Sequence, residues 1–201
     1  MAARDRLIAS AIALLQRNGV AGTGIAELLK HSGIARRSVY LNFPGGKAEL
    51  IAAAAKSAGQ AISEVIRGFA TEADPVSAVE AFVALWKDIL TGSDFDAGCP
   101  IVAAALGRAE APAAADIAGE QFTDWECLLA TRLEAANVPA ETAAQLATTT
   151  IAAIEGAVIM SLATKSDVPL QRTGALLADL VAQHTRPAAA RRQAPGKQAT
   201  T

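Results

Sequence analysis

The sequence predicts an all-α protein of about nine helices, and three observations predict it. Of the 201 residues 52% are hydrophobic, and much of that share is alanine, the strongest helix former. Apolar residues recur at three- and four-residue spacing through most of the chain. Runs of β-branched or aromatic residues bounded by turns, the mark of strands, are scarce. A chain of this length can bury a core in one or two domains.

The elements follow in order. Leu7, Ile8, Ala11, Ile12 and Leu15 share one helical face, and Gly19 supplies a left-handed stop. Thr23 is placed to cap a second helix that carries Ile25, Leu28 and Leu29 inward and ends at Ser32-Gly33. A short third helix runs from about Arg36 to Asn42 and is broken by Pro44-Gly45-Gly46. A long helix starts near Lys47 and reaches about Ala70, with Leu50, Ile51, Ala54, Ile62, Val65, Ile66 and Phe69 on one broad face. Asp74-Pro75 opens the next, through Leu90, because proline suits the first helical turn. Thr91 to Gly98 reads as a loop, and Cys99-Pro100 starts a helix to about Arg108. After a break over Ala109 to Pro112, a helix extends to about Ala136; Val138-Pro139 breaks again, and Ala140 to Ala163 is helical. Pro169 starts the last helix, which ends near Arg186-Pro187. Residues 187–201 lack apolar periodicity and are expected to form a disordered tail.

Charge is unevenly spread. Residues 1–50 carry seven Lys/Arg and three Asp/Glu, net +4, whereas residues 51–186 carry eight and seventeen, net −9. A basic head on an acidic body suggests that one end meets a polyanion. Cys99 and Cys127 stand far apart without CxxC spacing, and His31 and His184 are isolated. That excludes a disulfide framework and a zinc site and calls for no metal or cofactor; a reducing cytoplasm fits. Two segments imitate membrane signals. Leu7 to Leu15 follows Arg4 and Arg6, but Asp5 interrupts the basic region and Gln16-Arg17-Asn18 replaces a cleavage site. Thr148 to Thr164 is short for a span and contains Glu155. Both read as core helices, and no membrane partner is expected.

The chemistry concentrates in residues 33–47. The second and third helices are joined through the glycine-containing turn Ser32-Gly33-Ile34-Ala35, the arrangement of a helix-turn-helix. Ile34, Val39 and Phe43 are expected to pack inward, which leaves Arg36, Arg37, Tyr40 and part of Leu41-Asn42 facing out. Two cations in the first turn oppose the helix dipole, and Ala35 is a poor N-cap. A segment that breaks two helix-start rules together gains elsewhere, and a DNA phosphate or guanine edge supplies such a gain. Arg36 and Arg37 suit guanine, Asn42 suits adenine and Leu41 suits a thymine methyl. Thr23, Ser38, Tyr40 and Lys47 suit phosphates.

Thr23 through Leu50 resembles the DNA-binding signature of TetR-family transcriptional regulators, in particular the branch with Phe-Pro-Gly-Gly-Lys after the recognition helix. The resemblance rests on Thr23, Ile25, Gly33, Tyr40, Phe43, Pro44 and Lys47 at family spacing and covers about the first 55 residues. It departs from the pattern at Ala35, where Ser or Thr is frequent, which removes a phosphate cap, and at Arg37, where a small residue is common, which points to a distinct base preference. The resemblance implies an N-terminal three-helix DNA-binding domain (residues 1–47) and a C-terminal helical domain (residues 48–186) that binds a small molecule and dimerises.

In that body Phe82 and Trp86 lie at i, i+4, and Phe122 and Trp125 at i, i+3; these aromatics are candidates for an apolar effector cavity, against the alternative of ordinary core packing. Glu155 interrupts an apolar segment and must be paired or meet a ligand. Cys99 is either a sensing thiol or a buried inert one. The helix over Ala140 to Ala163 is apolar or small nearly all round, which favours pairing of the last two helices with a second copy. The expected function is a dimeric, ligand-released repressor on a palindromic operator, not an enzyme. The alternatives are a helical protein-interaction adaptor and a small-molecule-binding helical enzyme with a basic face. Competition by generic duplex DNA with steep salt dependence would favour the nucleic-acid reading over the adaptor, and the lack of a nucleophile–base set, metal cluster or phosphate loop argues against the enzyme.

Overall fold

A computed structural model describes residues 2–72 and 74–185; side chains of residues 70–72 are not described. Among the described residues the chain forms nine α-helices and no strand: α1 Ala3–Gly22, α2 Ile25–Ser32, α3 Arg36–Asn42, α4 Gly46–Glu72, α5 Pro75–Gly92, α6 Pro100–Leu106, α7 Pro112–Ala135, α8 Ala140–Thr164 and α9 Val168–Thr185. The expected tail, 187–201, and the end of the body at residue 186 lie outside the described residues.

Local chemistry sets these boundaries. Gly19 takes φ 65°, ψ −173°, a conformation open only to glycine, so α1 kinks there and turns Val20 into the core. Asp74 caps α5: its carboxylate accepts from the Val76 and Ser77 backbone N–H groups, and Pro75 occupies the first turn. The helix α6 is shorter than expected and stops at Leu106, because Gly107 closes it with N–H bonds to the Ala103 and Ala104 carbonyls. The helix α5 runs two residues past the expected Leu90.

The helices α1 to α3 gather at one end, and α1 also packs on α4 and α6. Leu7, Leu15, Leu28, Val39, Phe43, Leu50 and Ile51 are fully buried in that end. The helix α4 runs unbroken across the expected boundary at residue 47, so head and body share one continuous helix. Beyond it α4 packs on α7, α7 on α8, α8 on α9 and α9 on α5, with α6 wedged between α1 and α7. Ser63 ties α4 to α7: its hydroxyl accepts from Trp125 Nε1 at 3.0 Å and donates to Asp124 at 2.7 Å. The helix α8 is long and apolar enough to cross a membrane, but Leu146, Ile154 and Val158 are buried where it packs against its neighbours. The opposite side of α8 exposes Ile159 and Met160.

Candidate nucleic-acid interface and effector cavity

The turn between α2 and α3 is held by bonds that leave the outer face of α3 unencumbered. Gly33 takes the left-handed conformation (φ 65°, ψ 20°) and donates its N–H to Leu29 O, and Ser32 Oγ accepts from Ile34 N–H at 3.2 Å. The Arg6 guanidinium donates to Ser32 O at 2.6 Å, placing a cation at the C-terminal end of α2, where the dipole favours it. Val39 and Phe43 are fully buried, and the Arg4 guanidinium lies 5.0 Å from the Phe43 ring centroid. With its apolar side fixed, α3 presents Arg36, Arg37, Tyr40 and Leu41 to solvent, Leu41 at 69% exposure. Ala35 precedes α3 and offers no side-chain cap.

Three residues assigned to DNA stand differently from expectation. Thr23 is fully buried, and its hydroxyl donates to Gly19 O at 2.7 Å; Gly24, not Thr23, occupies the N-cap of α2. The kink at Gly19 leaves a carbonyl that needs a donor, and Thr23 supplies it, so it braces the head from inside. The Asn42 amide donates back to Ser38 O at 2.7 Å, so it is engaged within α3 at the end remote from Arg36. Lys47 forms an ion pair with Glu110 at 3.1 Å, which joins the start of α4 to the segment before α7. Ser38 is half-buried on the same helix. Sequence reasoning missed Arg4 and Arg6 as supports of the recognition helix. Their partners are more than twenty residues away, and no local spacing reports such contacts.

In the body a narrow cavity of about 60 Å³ is lined by Ile66, Phe82, Trp125, Leu129, Ile151 and Ile154, with Arg132, Thr150 and Glu155 as polar groups. The structure thus brings together Phe82, Trp125 and Glu155. Trp86 and Phe122 stand outside the lining. Each packs edge-on against a lining aromatic, Phe82–Trp86 at 6.5 Å and Phe122–Trp125 at 5.3 Å between ring centroids. Cys99 stands apart from this cavity. It lines a second cleft of about 330 Å³, between the end of α1, α6 and α8, of which Glu155 is also a wall.

Glu155 is mostly buried, and burial pushes its carboxyl up to about 7, opposed by a hydrogen bond from the Cys99 thiol. Its Oε2 atom is buried and has no hydrogen-bond partner. Burial first, and the Glu155 carboxylate next, push the Cys99 thiol well above its ordinary value. Such a shift favours the protonated thiol over the thiolate. Among the described residues no group of His, Cys, Asp and Glu is placed to hold a metal ion.

Comparison with known proteins bears on both ends. Residues 7–54 match the model for bacterial regulatory proteins of the tetR family, and residues 75–176 match the model for the C-terminal domain of LmrA/YxaF-like transcriptional regulators. The chain is 32% identical over 190 residues to the HTH-type transcriptional regulator Rv0196 of Mycobacterium tuberculosis, covering 88% of this chain and 95% of that protein. It is 26% identical over 180 residues to the HTH-type transcriptional regulator LmrA of Bacillus subtilis, covering 89% and 96%. The fold superposes on the regulatory protein TetR from Rhodobacter sphaeroides with a TM-score of 0.81, at 17% identity over 88% of this chain and 97% of that one.

Proposed function

Because this chain belongs to the TetR family and is a DNA-binding transcriptional regulator, we propose that it is a repressor. It grips a palindromic operator as a homodimer and is released when a small molecule enters its body. The observation that carries this reading is the solvent-facing row Arg36, Arg37, Tyr40 and Leu41 on a helix whose other side is locked into the head. Arginine reads guanine O6 and N7 in the major groove, the leucine side chain meets a thymine methyl, and the tyrosine and Ser38 hydroxyls reach phosphates. Lys47 exchanges Glu110 for a phosphate when DNA arrives, an exposed pair being cheap to break. Residues 1–47 are the DNA-contacting unit and residues 48–186 the effector and dimer unit, joined rigidly by α4.

The cavity supports release. At about 60 Å³ it is well below a drug-sized site. An effector therefore selects a state in which the walls have parted. The wall residue Ile66 belongs to α4, which enters the head, so parting the walls tilts the DNA-binding end. The ligand and DNA then prefer different states, and each weakens the other. Exposed Ile159 and Met160 on α8 and Leu176 on α9 support a dimer through these two helices. Both cysteines are free, as a reducing cytoplasm requires. The reading contains no catalytic step.

Selection of duplexes from a random pool by the purified protein tests it. The expected product is a palindrome whose half-sites lie about one helical turn, or a multiple, apart, bound with a steep salt dependence. A pool that returns no enriched sequence overturns it.

A further inference from the structure

We propose that the effector is a lipophilic cation, an apolar body with one protonated amine, and that the Glu155 carboxylate holds the amine. This rests on the reading of the body cavity as the effector site. The cavity walls are almost wholly apolar, so a ligand that fills it is apolar over most of its surface. Two charged side chains interrupt those walls, Arg132 from α7 and Glu155 from α8. Each carries a buried polar atom without a hydrogen-bond partner, Arg132 Nε and Glu155 Oε2, but Arg132 has a partner elsewhere within the protein. Glu155 has one buried oxygen, Oε2, without any hydrogen-bond partner, and the group that does bond its carboxyl is a neutral thiol, Cys99 at the start of α6. A buried carboxylate in that state is costly when ionised, and an N–H donor that brings a positive charge relieves the cost. The raised titration range of Glu155 agrees with a carboxyl that lacks its natural counter-charge.

Glu155 is also a wall of the cleft that touches Gln16, Asn18 and Gly19 near the end of α1. A cation drawn to Glu155 thus acts at the place where body, α6 and DNA-binding head meet. Binding ionises the carboxyl, and the proton it held near neutral pH is released to solvent.

The probes are phenylbutylamine, phenylbutanol and phenylbutyrate, which share one apolar body and differ in head group. Their binding to the full chain is measured by calorimetry at pH 8, and again at pH 7 in buffers of different ionisation enthalpy. The amine is expected to bind about tenfold or more tightly than the alcohol, the scale of a charge-assisted hydrogen bond, and to release a fraction of a proton at pH 7. In Glu155→Gln the advantage and the proton release both vanish; Glu155→Asp keeps the advantage. Equal affinity for amine and alcohol, or an advantage that survives in Glu155→Gln, overturns the assignment and leaves the cavity as an effector site. Preference for phenylbutyrate overturns it in favour of Arg132. If none of the three binds, the cavity reading falls with it. Amine-selective binding that does not displace selected operator DNA supports the cation assignment and removes the release mechanism alone.

Discussion

Arg36 and Arg37 open α3 with two positive charges and no capping side chain before them. In the free protein this start is unfavourable by a few tenths to about 1 kcal/mol from the dipole. The cost is recovered only where an anion or a guanine edge faces the two guanidinium groups. Arg36→Ala and Arg37→Ala are therefore expected to leave the melting temperature unchanged or slightly raised. Each weakens operator binding by about 1–3 kcal/mol if it reads a base, measured by titration of labelled operator duplex. Lys47 behaves otherwise, because its ion pair with Glu110 is solvent-exposed and contributes little to stability. Lys47→Ala weakens binding alike on operator and random DNA and reduces the salt slope by about 1; a loss confined to the operator contradicts a phosphate contact. Glu155 has its consequence in stability. Its folded carboxyl titrates at about 7 rather than 4.5, so between these values the unfolded chain holds fewer protons than the folded one, and stability falls as pH rises. Cys99 from the start of α6 bonds it, Thr150 of its own helix and Arg132 of α7 line the same cavity, and Glu110 lines the cleft it shares with Cys99. Below pH 4.5 the cost is absent, and above pH 7 it is complete. Glu155→Gln removes it, so the variant should be the more stable protein at pH 8, by up to about 3 kcal/mol. That advantage shrinks to nothing near pH 4.5 in denaturant titrations.

Among the helices, α6 is the short one wedged between the head and the body, and its C-terminal glycine sets how closely α1 approaches. A Cβ on Gly107 would lie 2.6 Å from Val20 Cβ, and Val20 is buried and stiff at its first side-chain torsion. Gly107→Ala thus pushes the end of α1 off α6, at about 1–3 kcal/mol for overpacking, and lowers the melting temperature by about 2–4 °C per kcal/mol. Gly119 in α7 is the control: nothing lies within 4 Å of its added Cβ, and Gly119→Ala gains about 0.5–1 kcal/mol of helix stability. Equal melting shifts in the two variants would deny a close α1–α6 contact. The same pair shows what a sequence discloses. Helix boundaries are written in local punctuation, and Gly33, Pro44, Asp74-Pro75, Pro112 and Pro139 each stand within a residue or two of the end they mark. The outward row on α3 is legible for the same reason, since seven residues with Val39 buried leave few choices for Arg36, Arg37 and Tyr40. Contacts made across the chain are not legible. Thr23 has the look of a cap, yet it serves the carbonyl left open by a kink at Gly19. Lys47 meets Glu110 across 63 residues. Only one member of each aromatic pair reaches the cavity, because helical spacing fixes a shared face but not which neighbour that face meets. Glu155 was recognisable as a carboxylate in an apolar helix, whereas its neighbour Cys99 belongs to a different helix and no spacing links them.

At the scale of the molecule, net +4 over residues 1–50 and net −9 over residues 51–186 orient the protein on a polyanion, with the body held away from phosphates. One head offers a single seven-residue helix to the groove, and that is little contact for a specific site. Two heads linked by the body turn the second engagement into an intramolecular event, which raises affinity by orders of magnitude when the spacing matches. The faces proposed for that link are on α8 and α9, where Met160 is 58% and Leu176 71% exposed. Each would be buried beside its counterpart across a two-fold axis. A carboxylate at either position then faces a like charge in an apolar contact and is costly to bury. Met160→Glu with Leu176→Glu is expected to convert a dimer into a monomer in sedimentation equilibrium, with helix content by circular dichroism retained. Operator affinity falls at least about tenfold, while the weak, salt-dependent affinity for random DNA, set by each head alone, changes much less. A double variant that stays dimeric would place the interface on other helices. A monomer with full operator affinity would show that one head suffices and would remove the need for a palindrome.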